Sequence, residues 1–278
     1  MTKQNLKYHL KNKLTEKELK FVPSSFDVVG DILIFSEFPK ELVKKEKIIG
    51  NTILENYHHI RTVLKKTKKY SGKFRTPKLK VIAGEKKKET MHKENNVFVK
   101  LNVEKVYFST RMSSERKRIA ELVKPNESVL VMFSGSGVYP LVIAKNSKCW
   151  EIYGIEINPV AHKYAMENIK KNKLENKIKL FFGDVRKMMP NLKKRFDRIL
   201  MPLPKGGENY LELALKYIKN RGIVHFYDFL HEDEFYKAEE KVKKACEKSK
   251  KMCRIVKITR CGQYSPRFYR VCVDFLVD

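Results

Sequence analysis

Residues 129–137, with the sequence VLVMFSGSG, decide the fold of this chain. A continuous apolar run that ends abruptly in Ser-Gly-Ser-Gly is typical of a buried parallel strand that enters a tight turn, and a helix is predicted from Val138 to Lys145. Gly135 and Gly137 can adopt backbone angles that are closed to other residues, and the following helix offers free amide groups to a phosphate or a carboxylate. The stretch predicts a nucleotide-binding turn, although a Gly-x-Gly pair alone fits a plain structural turn equally well.

A second apolar strand favours the nucleotide-binding interpretation. The sequence IYGIEINP at 152–159 follows the predicted helix and places Glu156 at the end of a strand. A carboxylate about 20 residues after a glycine turn is suited to accept hydrogen bonds from ribose hydroxyls. The two strands together predict a cofactor that contains a nucleoside.

The composition indicates a polyanionic partner. The chain has 278 residues, 42% of them hydrophobic, and its 60 basic against 32 acidic side chains give a formal net charge of +28. Such an excess repels itself unless a polyanion is bound, so nucleic acid is the predicted partner. A general enrichment in lysine is the alternative, but that trend normally raises glutamate as well.

The apolar runs are shorter than the roughly 20 residues that a membrane span needs, and the start MTKQNLKYHLKNK lacks the apolar stretch of a secretory signal. We therefore expect a cytoplasmic protein with no membrane segment, and we expect it to be a monomer. The cysteines are odd in number and lack Cys-x-x-Cys spacing, which argues against a zinc site and a disulfide framework, and we expect no metal. They are Cys149, Cys246, Cys253, Cys261 and Cys272.

Residues 1–101 are predicted to form a small mixed α/β domain that contacts RNA. Leucines four apart in the first 20 residues predict one short amphipathic helix, and FDVVGDILIF at 26–35 predicts one strand with a bend at Gly30 and Asp31. The stretch KKYSGKFRTPKLKVIAG at 68–84 combines lysines with aromatic side chains. It fits an RNA-facing edge or a solvated hairpin, and charge alone does not separate the two. Arg75 differs from its neighbours because a guanidinium at a turn can donate two hydrogen bonds to a planar acceptor.

Residues 102–122 are predicted to form a junction that contains a helix. Arg111, Glu115 and Arg116 gather near the start of this helix, and Ser109 lies just before it. A structural salt-bridge network explains this cluster in part. Because the segment directly precedes the cofactor strand, we also expect it to border the same pocket.

Residues 123–278 alternate strands and helices, which predicts an open, mostly parallel sheet with an antiparallel pair at the end. Asp184 follows the third strand, where a carboxylate can accept a hydrogen bond from the amine of adenine. Pro202 and Pro204 end the fourth strand, whose tip should border the reaction centre. This order of elements resembles the Rossmann-like fold of class I methyltransferases.

Several motifs narrow the resemblance. The chain is similar to the archaeal and eukaryotic tRNA (guanine-37 N1)-methyltransferases and, as a sister family, to the wybutosine-pathway enzyme that transfers an aminocarboxypropyl group. This resemblance implies S-adenosylmethionine as cofactor and the base next to the anticodon of tRNA as target. It begins near Leu10, so we expect no additional N-terminal tRNA-binding domain. The motifs are FDVVGDILI, GKFRTPKLKVIAG, ETMHKE, KVYFSTRMSSERKRIA, VMFSGSGVYPLVIAK, IYGIEINPVAHKYAMENIKKNK and GDVR.

The resemblance also implies roles for individual residues. Arg75 and Glu115 correspond to the family's catalytic pair, in which the glutamate is the general base for N1 of guanine and the arginine stabilises charge on O6. Arg111 is implied to position the cofactor tail so that the methyl group faces the base. The implied cofactor contacts are Ser109, Arg116, Phe133, Gly135, Gly137, Glu156, Asp184, Val185 and Pro202.

Two departures from the family pattern widen the range of functions that the sequence fits. Thr110 replaces a common proline, and Pro202 replaces an asparagine that methyltransferases commonly carry at the fourth strand. Methylation of a tricyclic wyosine precursor at the same nucleotide stays open as an alternative. Aminocarboxypropyl transfer stays open too, although the enzymes that catalyse it lack the arginine of the Phe-Ser-x-Arg motif and have a histidine near the tip of the fourth strand, and neither feature appears here. The chain fits an RNA-binding protein without turnover as well, and a small-molecule methyltransferase is least in keeping with the charge.

Overall fold

The structure is a computed structural model that describes residues 6–278, apart from the side chains of 69–71. It divides into two compact units. The first extends to Lys93 and includes Val99–Thr110, and the second comprises Glu94–Phe98 and Arg111–Asp278. The predicted domain boundaries at residues 101 and 122 stay predictions.

Among its described residues, the first unit contains a four-stranded sheet, three α-helices and most of a two-stranded hairpin, whose tip at 94–98 belongs to the second unit. In the larger sheet the strand order follows the chain; its second and third strands are parallel, and the other neighbours are antiparallel. Ile49 and Ile53 of the third helix are fully buried in the core of this unit. The helices are α1 (Leu6–Leu10), α2 (Glu16–Phe21) and α3 (Glu46–Asn56), and the strands are β1 (Asp27–Val29), β2 (Ile32–Phe35), β3 (Thr62–Ser71), β4 (Thr76–Gly84), β5 (Glu89–Glu94) and β6 (Val97–Asn102).

The prediction of a single N-terminal helix is wrong for the described part of the segment, and its first five residues lie outside the described residues. Two short helices form because Thr15 starts a new one: its side chain accepts a hydrogen bond from the Glu18 amide, and the Glu18 carboxylate accepts one from the Thr15 amide. Leu6, Leu10 and Leu14 are nevertheless all buried in the core of the first unit.

The prediction of one bent strand at 26–35 is also wrong. β1 and β2 are antiparallel partners, with Val29 opposite Ile32, and Gly30 and Asp31 form the two-residue turn between them. A glycine at the first position of a two-residue turn favours a hairpin, and the apolar residues on both sides allow either arrangement.

The second unit is built on a seven-stranded sheet. Its strands are β7 (Ser128–Met132), β8 (Glu151–Glu156), β9 (Ile178–Phe182), β10 (Phe196–Met201), β11 (Ile218–His231), β12 (Cys253–Ser265) and β13 (Phe268–Val277). They lie in the order β12-β13-β11-β10-β7-β8-β9. The five strands from β9 to β11 are parallel, whereas β13 is antiparallel to both β11 and β12. The predicted fold class is confirmed.

Six helices accompany this sheet: α4 (Ser113–Leu122), α5 (Val138–Asn146), α6 (Pro159–Lys171), α7 (Val185–Asn191), α8 (Leu211–Tyr217) and α9 (Tyr236–Lys248). α4 contacts α5, and α8 contacts α9. Within residues 6–278, no helix combines the length and the apolar character that crossing a bilayer requires.

The argument against a disulfide is wrong for one pair of cysteines. Cys246, near the end of α9, is bonded to Cys253, the first residue of β12. The spacing of seven residues is not a recognised disulfide motif, but the short turn between helix and strand brings the two Cα atoms to 6.2 Å, within the range that a disulfide spans. The other three cysteines are buried thiols.

Gly84 allows a close approach of two strands in the first unit. Its φ is +81°, and an added Cβ would lie 2.1 Å from the carbonyl oxygen of Arg61, which also accepts a hydrogen bond from the Glu85 amide. Gly72 has a similar φ of +72° but no neighbouring atom within 4 Å of an added Cβ. The two positions therefore share a backbone penalty and differ in steric contact.

We predict that Gly84→Ala lowers the free energy of unfolding by about 2–5 kcal/mol, the sum of backbone strain and overpacking. The matched control Gly72→Ala should cost only the backbone part, about 1–2 kcal/mol. Chemical denaturation of both variants measures the difference. Equal losses would show that the contact at Arg61 relaxes without cost.

Candidate active site

Four parallel strands bring predicted site residues to one edge of the sheet in the second unit. The turn Phe133–Gly137 follows β7, Glu156 ends β8, Asp184 comes shortly after β9, and Pro202 follows β10. β7 pairs with β8 on one side and β10 on the other, so the strand order reverses at this point. Open parallel sheets bind ligands at the carboxyl ends of the strands beside such a reversal.

The Glu156 carboxylate holds the glycine turn in place. Its Oε2 accepts a hydrogen bond of 2.6 Å from the Gly135 amide, and its Oε1 accepts one of 2.7 Å from the Asn158 amide. The turn is also tied to β8 by the Ser134 amide, which donates to the Ile155 carbonyl oxygen at 2.9 Å. Burial raises the pKa of Glu156, and the backbone hydrogen bonds oppose that effect. The carboxylate thus orders the main chain that a ligand would meet.

The turn leaves room for a nucleoside ligand. Phe133, Gly135 and Gly137 all have positive φ, and no atom lies within 4 Å of the place where a side chain on Gly135 would begin. At Gly137 an added Cβ would instead meet the Cβ of Ala165 at 3.1 Å, so this glycine permits helix packing. Open space over a buried acceptor is what a ribose with two hydroxyl donors requires, and the residues present therefore fit a nucleoside cofactor.

Three loops at this edge contact one another through side chains. The Phe133 ring lies 5.0 Å from the Tyr210 ring, and the Arg186 guanidinium lies 4.6 Å from the centre of the same Tyr210 ring. Asp184 caps α7, since its side chain accepts a hydrogen bond of 2.9 Å from the Arg186 amide, and Val185 is buried. Pro202 begins the loop that leads to Tyr210, and that loop turns back at once through a 2.7 Å hydrogen bond from Leu203 N–H to the Met201 carbonyl oxygen.

Glu115 is buried at the start of α4, with a relative exposure of 4%. Arg118 donates two hydrogen bonds to it, Nε to Oε2 at 2.7 Å and Nη2 to Oε1 at 2.8 Å. The Tyr227 hydroxyl donates a third to Oε1 at 2.6 Å. Phe226 pairs with Met201, so Tyr227 is level with Pro202 at the carboxyl edge. Both oxygens of the Glu115 carboxylate therefore act as acceptors, and the carboxylate is held in one orientation.

The two arginines predicted beside Glu115 have different surroundings. Arg116 is buried and forms a bidentate pair with Glu94, with distances of 2.5 and 2.6 Å. Arg111 is exposed in a short 3-10 helix of Thr110–Met112. Their cofactor-binding and cofactor-positioning roles stay predictions.

Arg75 and Ser109 belong to the first unit. Arg75 has a positive φ of +50° and closes the turn between β3 and β4, where its amide donates a hydrogen bond to the Gly72 carbonyl oxygen at 3.2 Å. Ser109 lines a cavity of about 30 Å³ together with Phe108, Thr110 and Pro77. The turn that carries Arg75 therefore lies close to the 108–110 segment within this unit.

The structure adds Tyr210, Arg118 and Tyr227, which sequence reasoning missed. Tyr210 follows the glycine pair of MPLPKGGENYL, and an aromatic residue after the fourth strand was the only available signal. Arg118 lies three residues after Glu115, a spacing that places both side chains on one helix face. Tyr227 sits inside the apolar strand HFYDF and gave no signal.

The comparisons with known proteins agree with this geometry. Residues 90–256, more than half of the 278, match the model of the TRM5/TYW2 methyltransferase domain. The chain belongs to the TRM5/TYW2 methyltransferase family. Residues 6–87 match the TYW2 N-terminal domain.

Two curated relatives represent the activities in this family. Trm5b of Pyrococcus abyssi, a tRNA (guanine(37)-N(1))-methyltransferase, is 37% identical over 260 residues, which cover 93% of this chain and 76% of the relative. Taw22 of Nanoarchaeum equitans, a tRNA (guanine(37)-N(1))/4-demethylwyosine(37)-methyltransferase, is 36% identical over 270 residues, which cover 79% of this chain and 88% of the relative.

Two solved structures of family members are similar to this fold. The complex of aTrm5 with tRNALeu has a TM-score of 0.86 at 30% identity and covers 100% of this chain and 79% of its own. TYW2 of Pyrococcus horikoshii in complex with MeSAdo has a TM-score of 0.83 at 26% identity and covers 98% of this chain and 97% of its own.

We predict that Glu156→Gln weakens cofactor binding by about 10- to 100-fold, because the amide cannot accept from both backbone N–H groups as the carboxylate does. Glu151→Gln is the control, since Glu151 begins the same strand and is paired with Lys179 and Lys194. Isothermal titration with S-adenosylmethionine measures both affinities. An unchanged affinity in Glu156→Gln would contradict the role of this carboxylate.

Proposed function

We propose that this TRM5/TYW2 family member transfers the methyl group of S-adenosylmethionine to N1 of guanosine 37 in tRNA. The observation that carries the proposal is the buried carboxylate of Glu115, which accepts hydrogen bonds from Arg118 and Tyr227 at the carboxyl edge of the sheet, level with the end of β10. The similarity of the chain to Trm5b of Pyrococcus abyssi, which covers 93% of the chain, supports guanosine 37 of tRNA as the substrate.

The cofactor supplies an electrophilic methyl group. Glu156 and the turn Phe133–Gly137 bind its nucleoside part: the carboxylate accepts from ribose hydroxyls, and the main chain at Gly135 leaves space for the sugar. Asp184 and Val185 border the adenine from the next loop, and Ser109, Arg111, Arg116 and Pro202 complete the proposed contacts. No metal and no second copy of the chain enter this scheme.

Proton removal from the base is assigned to Glu115. The N1 atom of guanine carries a hydrogen and is a poor nucleophile until that proton leaves. Glu115 would accept this proton, and negative charge develops on O6 as it leaves. The electron pair of N1 would then form the bond to the methyl carbon while the sulfur–methyl bond of the cofactor breaks, and S-adenosylhomocysteine leaves as a neutral thioether. Arg75 donates hydrogen bonds to O6 and stabilises that charge.

The charge of the protein supports tRNA as the substrate. An excess of 28 positive charges neutralises phosphates along an RNA backbone and makes binding depend on salt. The turn between β3 and β4 presents an exposed Phe74 beside Arg75, which suits an unpaired base of a loop.

A second candidate is methylation of 4-demethylwyosine at the same nucleotide. The 36% identity with Taw22 of Nanoarchaeum equitans favours it, because that relative is named for both substrates. Pro202, where an amide side chain is common in methyltransferases, removes a hydrogen-bonding group that would discriminate between the two bases.

The test is incubation of the protein with methyl-labelled S-adenosylmethionine and tRNA that contains either guanosine or 4-demethylwyosine at position 37. Nucleoside mass analysis should find N1-methylguanosine from the first tRNA and none from a tRNA with adenosine 37. Product from the wyosine precursor alone supports the second candidate. An aminocarboxypropyl adduct, or no product from either tRNA, contradicts methyl transfer.

We further predict that Arg75→Lys lowers kcat by about 100-fold or more, since a lysine lacks the planar pair of donors and a lost donor to developing charge costs about 2.7–4 kcal/mol. The affinity for S-adenosylmethionine should not change. Lys73→Ala in the same turn is the control for lost charge. Equal kcat values in Arg75→Lys and the parent would exclude the assigned role.

A further inference from the structure

The half-buried guanidinium of Arg118 in the second unit joins two buried carboxylates. Besides its two hydrogen bonds to Glu115, Arg118 donates from Nη1 to Oδ2 of Asp274 at 2.6 Å. Asp274 lies on β13 with a relative exposure of 3%, and it is 156 residues away from Arg118 in the chain. Arg118 is thus balanced by two negative charges rather than one.

The far side of Asp274 is fixed by a histidine and a second arginine. Its Oδ1 lies 2.6 Å from Nδ1 of His225, whose Nε2 lies 2.7 Å from Nη1 of Arg198. An arginine can only donate, so Nε2 accepts and Nδ1 carries the hydrogen that is donated to Asp274. Burial lowers the pKa of His225, which keeps the ring neutral. Although burial opposes it, the contacts with His225 and Arg118 hold the pKa of Asp274 well below its usual range, so Asp274 carries the second negative charge.

The second carboxylate matters when Glu115 takes up a proton. If Arg118 were paired with Glu115 alone, protonation of Glu115 would leave a half-buried cation without a counter-ion, which is unfavourable. With Asp274 in place, the guanidinium keeps a partner throughout.

We propose that Asp274 is the counter-ion that allows Glu115 to accept the substrate proton. Tyr227 has the opposite effect on Glu115, because its hydroxyl donates a hydrogen bond that stabilises the Glu115 carboxylate without the proton. Both are positioning residues, and the proposal rests on Glu115 being the general base of the proposed function. His225 and Arg198 hold Asp274 in the required orientation.

Tyr227 acts from the opposite side of Glu115. Its hydroxyl donates to Oε1 of Glu115 and accepts a hydrogen bond of 3.2 Å from the Tyr139 hydroxyl. Burial raises the pKa of both phenols, so they stay protonated and remain donors. Three further titratable or charged groups face this cluster. Cys272 on β13 interacts with both carboxylates and donates from Sγ to Oδ1 of Asp274 at 3.2 Å, whereas Arg116 on α4 and Cys261 on β12 interact with Tyr139.

A metal site is the competing interpretation of part of this cluster. Ligand atoms of His225, Cys272 and Asp274 lie within 4.8 Å of one another. However, Arg198 and Arg118 already occupy the Nε2 atom of His225 and the carboxylate of Asp274. Burial also raises the pKa of Cys272, which disfavours the thiolate that a metal needs. Two neighbouring guanidinium groups repel a cation, so the cluster favours charge balance over metal binding.

The test is the pH dependence of single-turnover methyl transfer with saturating tRNA and cofactor. A general base acts in its ionised form, so the rate rises with pH on the acidic limb. Asp274→Asn removes the negative charge that competes for Arg118, so its acidic limb should move to lower pH by about one unit while the plateau rate falls about tenfold. Tyr227→Phe removes a donor to the carboxylate, so its limb should move to higher pH. A purely structural role would not produce shifts of opposite sign.

Matched controls isolate the effect. Asp233→Asn removes an exposed carboxylate paired with Arg267, and Tyr236→Phe removes an exposed hydroxyl; both should keep the parent profile. Thermal unfolding of each variant confirms that it is folded over the pH range. If Asp274→Asn does not fold, the double variant Arg118→Met with Asp274→Asn replaces it. The acidic limb of its pH profile should move to higher pH, because the Arg118 guanidinium beside Glu115 is gone.

The outcomes separate this inference from the proposed function. If the parent forms no methylated guanosine, or if Glu115→Gln keeps full turnover, the proposed function fails. If the parent is active and Glu115→Gln is not, yet the Asp274 and Tyr227 variants keep the acidic limb of the parent, the inference is overturned while the function stands.

Discussion

The position of β7 is the constraint on which the site depends. It pairs in parallel with β8 on one side and with β10 on the other, so the chain that leaves its carboxyl end has no strand above it and turns into open space. The apolar residues 129–132 fix this central place because each is completely buried. Glu156, at the end of the neighbouring strand, then orders the glycine turn through a single hydrogen bond of 2.6 Å to Gly135. The geometry of the proposed cofactor site thus follows from strand order and one carboxylate.

In the second unit, buried and half-buried arginines are paired with carboxylates. Arg116 is paired with Glu94, Arg198 with Glu127, and Arg118 with both Glu115 and Asp274. Buried ion pairs contribute little net stability, because desolvation offsets their attraction, but removing one partner is costly. The arrangement is therefore better explained by the geometry that it imposes on Glu115 than by stability. These ion pairs use arginines, so the excess of lysines is available to bind a polyanion at the surface.

The parts of the site that the sequence predicts are those encoded by adjacent residues. The glycine turn and Glu156 follow from strand pattern and spacing, and the sheet follows from the alternation of strands and helices. The contacts around Glu115 do not, because Tyr227 reaches Glu115, and Asp274 reaches the neighbouring Arg118, from strands more than 100 residues away. No local pattern specifies which polar residue of a buried strand faces a distant helix. The Cys246–Cys253 bond was missed for a related reason: its spacing has no motif, and only the turn between α9 and β12 brings the sulfurs together.

α4 shows why the predicted cluster at the junction contains more arginines than the chemistry needs. Arg116 points to Glu94 in the hairpin tip 94–98, and Asn95 of the same tip donates a hydrogen bond of 2.9 Å to the Ser113 carbonyl oxygen. Arg118, two residues further along the helix, is held by Asp274 near the C-terminus. Glu115 therefore begins a helix that is fixed from two directions by parts of the chain that are far apart in sequence. The proposed role of Glu115 as general base requires a carboxylate held within a fraction of an ångström of the proton that it removes, and this double attachment fits that requirement. A salt-bridge network and the proposed catalytic role, between which the sequence alone does not decide, are thus compatible for the same residues.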